Sequence, residues 1–357
     1  MINKVLVISN LYPSQKDPFY GTFVKNFVEN LSNSNNIQDI ETCVIKGRSY
    51  TLYDKIWKYT LFYIKIVYLL LCEKYDIVYV HIITHAALPL RFVSLFKKLP
   101  LIFNIHGEDL LTQTRLASFF LSIVKPLLFQ AKMIVVPSLF FKEKVQEIFP
   151  KIPNSQLFVS ASGGINDNFF HNHKNQSNDI PIIGYVSRID RGKGWDIFIQ
   201  ALHLLKIRGI NFNAQIIGRG EETNQMKNLI SSLNLNEYVN YIGPIEYKEL
   251  PRFYSQFDIF VFPTQLEESL GLVGLEAMAC KVPVIGSKIG GLTDYINNDS
   301  NGYFFTPSDA NDLAEKISQY LSLSKEQQSK MKAEAYHTAL NYRSTTVSEK
   351  LISKILS

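Results

Sequence analysis

A chain of 357 residues that is 46% hydrophobic and 19% charged is too apolar to be disordered and too long for a single core. Two domains of roughly 100–200 residues each are expected. The formal charge of +5 is uneven: residues 1–180 hold 19 Lys/Arg against 13 Asp/Glu, a net +6, and the remainder holds 18 against 19, a net −1. No basic stripe is interleaved with aromatics, which argues against nucleic acid as a partner, whereas a basic half could face anionic lipid headgroups.

The N-terminus enters an apolar strand at residues 5–8 without the basic segment and apolar core of a secretory signal. Cys43, Cys72 and Cys280 are scattered without metal spacing. Together these features predict a cytoplasmic chain in which each cysteine is small buried filler. Strands are expected at 4–9, 40–45, 77–81, 101–105, 133–136 and 157–160, with helices between them, for instance 23–31 and 117–130. Such alternation predicts a parallel sheet wound with helices, whose ligands gather at the carboxyl ends of the strands.

The loop after the first strand, residues 10–22, exceeds the usual 2–6 residues of such connections. Gly21 and Thr22 open the next helix, where backbone amides can meet a phosphate, although the pair also suits an ordinary turn and cap. Residues 56–72 look like a membrane span, but Lys58 and Lys65 interrupt them and the run is shorter than the roughly 20 apolar residues needed to cross. A helix packed on the sheet is expected. The alternative is an interfacial helix with Trp57, its tyrosines, Lys55, Lys58 and Lys65 near headgroups. The strand at 101–105 delivers His106-Gly107-Glu108-Asp109, and His81 and His85 end the strand before it. Two glycines at 163–164 make a permissive turn, and the polar stretch 171–179 reads as a linker. The expected domains are therefore 1–170 and 180–343.

The second half restarts the alternation with a strand at 182–187. Arg188 and Lys193 follow on its loop, where the guanidinium can bind a diphosphate bidentately and the ammonium can act as a point charge. Gly218-Arg219-Gly220 ends the next strand, but the third glycine of a dinucleotide fingerprint is missing three residues on, so a dehydrogenase is disfavoured. In the stretch 258–291, a strand at 259–262 ends at Pro263 and is followed by a polar loop, a helix at 272–279 and a strand at 282–285. Glu268 precedes the turn at Gly271, and Glu276 lies eight residues on, inside the helix. Helix-start amides attract phosphate, and carboxylates accept hydrogen bonds from vicinal hydroxyls, a combination suited to a sugar nucleotide. The plainer reading is a pair of acids complementing the helix dipole, worth about 0.3–1 kcal/mol each.

Glu268-Ser269-Leu270-Gly271, four residues, then Glu276-Ala277-Met278-Ala279 resembles the E-x7-E signature of the retaining glycosyltransferases of family 4, also called glycosyl transferases group 1. The resemblance extends over nearly the full length and is strongest from 182 to 306. It implies the GT-B architecture, with two Rossmann-like doubly wound α/β domains facing a central cleft and residues 344–357 crossing back to the first domain. It also implies that Glu268 and the amides of Ser269, Leu270, Gly271 and Leu272 hold the donor sugar and phosphates, and that Glu276 holds the ribose. Gly218, Gly220 and Gly243 would lie beside the nucleotide, and Gly21 between acceptor and donor. His106 would reach the reacting sugar, with Asp109, His81 and His85 on the acceptor side. Ser269 and Leu270 replace a usual Gly-Phe pair, which bears on sugar preference.

The implied function is retaining, metal-independent transfer from a nucleotide-sugar to a glycan or lipid-linked glycan in bacterial-type polysaccharide synthesis, without a cofactor, by a cytoplasmic chain whose basic half could lie at the inner face of the membrane. Charge accumulates on the departing diphosphate, which makes Arg188 and Lys193 the catalytic cations. No Asp-x-Asp metal motif is found, and no protein nucleophile is evident, so a front-face mechanism is expected. The competing readings are a nucleotide-sugar epimerase and a non-catalytic partner that keeps the fold.

Overall fold

The computed structural model describes residues 2–18, 20–34, 36–107, 115–171 and 178–357. They form two compact units, Met1–Gly163 with Val347–Ser357, and Gly164–Thr346.

The first unit runs β1 (Ile2–Tyr12), α1 (Thr22–Ser32), β2 (Ile37–Lys46), α2 (Leu52–Cys72), β3 (Ile77–His81), α3 (Ala87–Ser94), β4 (Leu101–Asn104), α4 (Arg115–Gln130), β5 (Met133–Val136), α5 (Leu139–Ile148) and β6 (Leu157–Val159). Its sheet is parallel, in the order β2-β1-β3-β4-β5-β6. Helices cover both faces, so the strands read as continuous apolar runs. Leu6, Ile8, Val80 and Phe103 pack on one side, and Val5, Val7, Tyr79 and Ile102 on the other.

The second unit runs β7 (Ile182–Val186), α6 (Trp195–Ile207), β8 (Asn213–Ile217), α7 (Thr223–Ser232), β9 (Val239–Gly243), α8 (Leu250–Tyr254), β10 (Ile259–Phe262), α9 (Leu272–Ala279), β11 (Val284–Ser287), β12 (Gly302–Phe305), α10 (Ala310–Leu321) and α11 (Lys325–Leu340). Its parallel sheet has the order β12-β11-β10-β7-β8-β9. Ile165 exchanges backbone hydrogen bonds with Tyr342 and Ser344, and Phe169 packs on Tyr247 and Tyr254. Residues 164–170 therefore group with the second unit, ahead of the polar stretch at 171–179. The last helix, α12 (Ser344–Leu356), buries Leu351 and Ile355 in the core of the first.

In each sheet the strand order reverses once. β1 lies between β2 and β3, and β7 lies between β8 and β10. Loops leaving the carboxyl ends of strands on either side of a reversal diverge and leave a crevice, where open α/β sheets bind their ligands. In the second unit the relevant loops are 187–194 and 263–271, which carry Arg188, Lys193 and Glu268. In the first they include the Gly21 loop and the segment after His81.

Several local expectations are revised. β11 begins at Val284 instead of 282, because the Val282 amide still closes the end of α9 on the Ala277 carbonyl. Cys43 and Cys280 are buried filler as expected, but Cys72 is exposed at the last turn of α2. The segment 56–72 belongs to a longer helix that packs on the sheet through Phe62, Ile66, Leu69 and Leu70 while its opposite face stays exposed. No helix among the described residues is long and apolar enough to cross a membrane.

If α12 holds the first unit together by burial, Leu351→Ala should cost on the order of 2–4 kcal/mol, read as a lower urea midpoint. An unchanged midpoint would show that α12 is a dispensable appendage.

Candidate active site

Backbone geometry at the second reversal brings two loops into contact. Gly194, in the left-handed region at φ 73°, caps α6, and a Cβ there would overlap the Pro263 carbonyl. Only glycine allows the loop after β7 to lie this close to the end of β10. The Gln265 amide donates to the Gly192 carbonyl at 2.8 Å and fastens the two loops. Lys193 Nζ then meets Glu268 Oε1 at 2.7 Å, and Thr264 Oγ1 donates to the same oxygen at 2.9 Å. The pair is partly shielded, with 15% and 19% of the two side chains exposed.

Arg188 stands on the same loop but is engaged differently. Its guanidinium meets Asp190 Oδ2 at 3.0 Å and remains 72% exposed, while Asp190 Oδ1 accepts the Glu221 amide at 2.9 Å. Gly220 abuts Asp190, and the Gly218 amide donates to the Gly243 carbonyl at 2.9 Å, so these three glycines line adjoining strand ends with Arg188. The Gly291 amide donates to the Glu268 backbone carbonyl at 2.8 Å and holds the Glu268 loop from its other side.

Gly271, also left-handed, caps α9 without any side-chain hydrogen bond. Gly274 already donates its amide to the Gly271 carbonyl at 3.1 Å, which leaves the Leu272 and Val273 amides at the start of α9 to meet an external acceptor such as phosphate. Ser269 is half-buried, whereas Leu270 is 1% exposed and its backbone lies against Gly291. The Leu270 side chain is core, which leaves its backbone amide as the group the expectation names.

Glu276 is not a neighbour in kind of Glu268. It is 4% exposed on α9 and accepts hydrogen bonds from Tyr254, at 3.2 Å, and from Tyr247. Burial raises its carboxyl to about 7, and the two tyrosine hydroxyls pull in the opposite direction.

In the first unit, His81 Nδ1 lies 3.1 Å from His106 Nε2, and the rings stack. Phe23 and Phe27 pack against them. Burial lowers both imidazoles, His106 to about 4 and His81 well below its usual range, so both are neutral at pH 7. Asn104 Nδ2 also points at His81 Nδ1, at 3.5 Å. That arrangement assigns an acceptor role to His81 Nδ1 and the Nε2–H tautomer to His106. His85 is turned elsewhere, with its Nδ1 2.9 Å from the Tyr59 hydroxyl, which accepts from Asn10 Nδ2 at 3.3 Å. Gly21 caps α1 and folds the long loop back against Leu11. Asp109 lies outside the described residues.

Four residues of these networks carried no recognised signal in the sequence. Tyr247 and Tyr254 sit more than twenty positions before Glu276 and look like ordinary helix-packing aromatics. Thr264 and Asp190 are short polar residues in loops full of them. The offset from Thr264 to Glu268 was the one available hint, since a hydroxyl four residues before a carboxylate in a tight loop can turn onto it.

The folded chain keeps a proton on Glu276 that the unfolded chain releases between 4.5 and about 7, so stability falls as pH rises through that window. Above it the penalty levels off at about 3 kcal/mol. Glu276→Gln removes this titration. Its thermal midpoint should therefore gain on the wild type between about pH 4.5 and pH 8, and a pH-independent difference would show that folding leaves the titration of this carboxyl unshifted.

A family model described as glycosyl transferases group 1 matches residues 166–338, and one described as glycosyltransferase family 4 matches residues 26–161. The capsular polysaccharide biosynthesis glycosyltransferase CapM of Staphylococcus aureus is 30% identical over 172 residues, 48% of this chain and 42% of CapM. This chain spans less than two thirds of the length of the curated relatives it matches first. Among solved structures, sucrose-phosphate synthase from Thermosynechococcus elongatus aligns over 99% of this chain and 98% of its own, with TM-score 0.76 and 18% identity. Anabaena HepE in complex with UDP-glucose aligns over 100% and 99%, with TM-score 0.74 and 16% identity. Two parallel six-stranded sheets, a glycine-tightened crevice with a Lys-Glu pair at the second reversal, and a glycosyltransferase family match in each unit lead to one conclusion: the chain has the two-domain α/β GT-B fold of the glycosyltransferases that both of its units match.

Proposed function

We propose that this protein transfers a sugar from a nucleoside-diphosphate sugar to a glycan or lipid-linked glycan acceptor in bacterial-type polysaccharide synthesis, with retention and without a metal. The carrying observation is the Lys193–Glu268 pair at the crevice between the loops after β7 and β10, beside the uncapped start of α9. A pyrophosphate there would meet Lys193, the exposed Arg188 and the first amides of α9. In that arrangement Glu268 orients Lys193 and accepts a hydroxyl of the donor sugar. As the anomeric bond stretches, negative charge grows on the leaving diphosphate, and fixed cations and amides stabilise it without reorganising.

Glu276 suits the ribose, because a carboxyl group already fixed by two phenols keeps oxygen lone pairs in a set direction for a vicinal diol. Donor-side support comes from Anabaena HepE, a fold neighbour solved with UDP-glucose. In the first unit, Asn10 Oδ1 and His81 Nε2 are buried without a hydrogen-bond partner, as expected of groups that await a hydroxylated ligand. His106, neutral, serves the reacting sugar as a hydrogen-bonding group and not as a cation.

Transfer should be assayed with a panel of nucleotide-sugars, reading free nucleoside diphosphate and the anomeric configuration of the product. Lys193→Ala should lower kcat at least about a hundredfold with the fold intact, the scale seen on removing one preorganised stabiliser of transition-state charge. Turnover should survive EDTA. Wild-type kcat in Lys193→Ala would overturn the site, inverted product the mechanism, and EDTA-sensitive turnover the metal independence.

A further inference from the structure

We propose that the outer face of α2 and α3 is a docking surface for an anionic lipid bilayer. On α2, the inward residues Phe62, Ile66, Leu69 and Leu70 fill the core, yet a second apolar stripe runs down the opposite side. Tyr53, Trp57, Leu61, Ile64, Tyr68 and Leu71 recur at helical spacing, and all are exposed, Tyr53 at 78% and Trp57 at 55%. α3 and the turn after it continue the face with Leu88, Phe92, Leu95 and Phe96, the last at 69%, and the Phe92 and Phe96 rings pack edge to face. A soluble surface seldom gathers this many large apolar side chains without an occupant.

Charge identifies the occupant. Residues 46–98, which hold both helices, contain nine Lys/Arg against three Asp/Glu, a net +6 that equals the whole excess of residues 1–180. The three acids are all engaged: Asp54 by Lys58, Glu73 by Lys4, and Asp76 by the amides of Asn3 and Lys4. Lys55, Lys65, Lys74 and Lys98 are exposed. Protein interface cores are depleted in lysine, whereas a bilayer surface accepts lysines that extend to phosphates while Trp and Tyr sit at headgroup level. A helix of 21 residues, about 30 Å long, can lie flat in that layer.

The proposal does not depend on the transfer reading, because binding is measured without turnover. The purified chain should co-sediment with phosphatidylglycerol-containing vesicles at low salt, bind pure phosphatidylcholine vesicles more weakly, and be released as salt rises. Trp57→Glu with Phe96→Glu should weaken anionic-vesicle binding at least about tenfold, and so should Lys55→Glu with Lys98→Glu. All four side chains are at the surface, so circular dichroism should match the wild type. Absence of binding to anionic vesicles would overturn the proposal. So would a concentration-dependent dimer that Trp57→Glu disrupts while vesicle binding persists unchanged, since the face would then belong to a second copy.

Discussion

The organising constraint in this protein is the reversal of strand order beside β7. Because β8 lies on one side and β10 on the other, the loops leaving β7 and β10 separate from the neighbouring crossovers and meet each other. Contact at Gly194 against Pro263 then sets the distance, and the Lys193–Glu268 pair forms across it. Neither residue could hold this position on an uninterrupted run of strands, where helices would cover both loops. The donor chemistry proposed for this protein rests on that single topological feature.

Two glutamates eight residues apart illustrate how the fold differentiates identical side chains. Glu268 leaves β10 on a loop that reaches Lys193 and Thr264, so its charge is met by a cation and a hydroxyl. Glu276 lies within α9, turned into the unit, where two tyrosine hydroxyls are its partners and burial works against its ionisation. One is built to work with charge, and the other to present oxygen lone pairs in a dry setting. The histidines of the first unit follow the same logic, because burial among Phe23 and Phe27 keeps His81 and His106 neutral and fixes their tautomers through each other.

Helix α2 carries a different consequence of the same architecture. A helix covering a sheet needs one apolar stripe, and α2 has two. The second adds nothing to the core, and with the basic residues around it makes the first unit amphipathic as a body. An acceptor carried by a lipid would lie at the same boundary, so a docked first unit would shorten the search for it.

Much of the fold was legible along the chain. The alternation of apolar runs with helical patterns specified parallel sheets, because strands covered on both faces must be apolar throughout, and the strands expected at 133–136 and 259–262 and the helix expected at 272–279 coincide with their elements. The motif at 268–276 and the cations at 188 and 193 were readable because glycines and charges at fixed spacing reflect local backbone demands. Side-chain partners were not readable. Lys193 and Glu268 lie 75 positions apart and Tyr254 and Glu276 lie 22 apart, so these pairs form only once the chain has folded, and even Arg188 and Asp190, two positions apart on one loop, meet through a loop conformation that spacing does not reveal. The burial of Leu270 and the exposure of half of α2 were likewise decided by packing, since hydrophobicity alone does not reveal which of two apolar faces finds a neighbour.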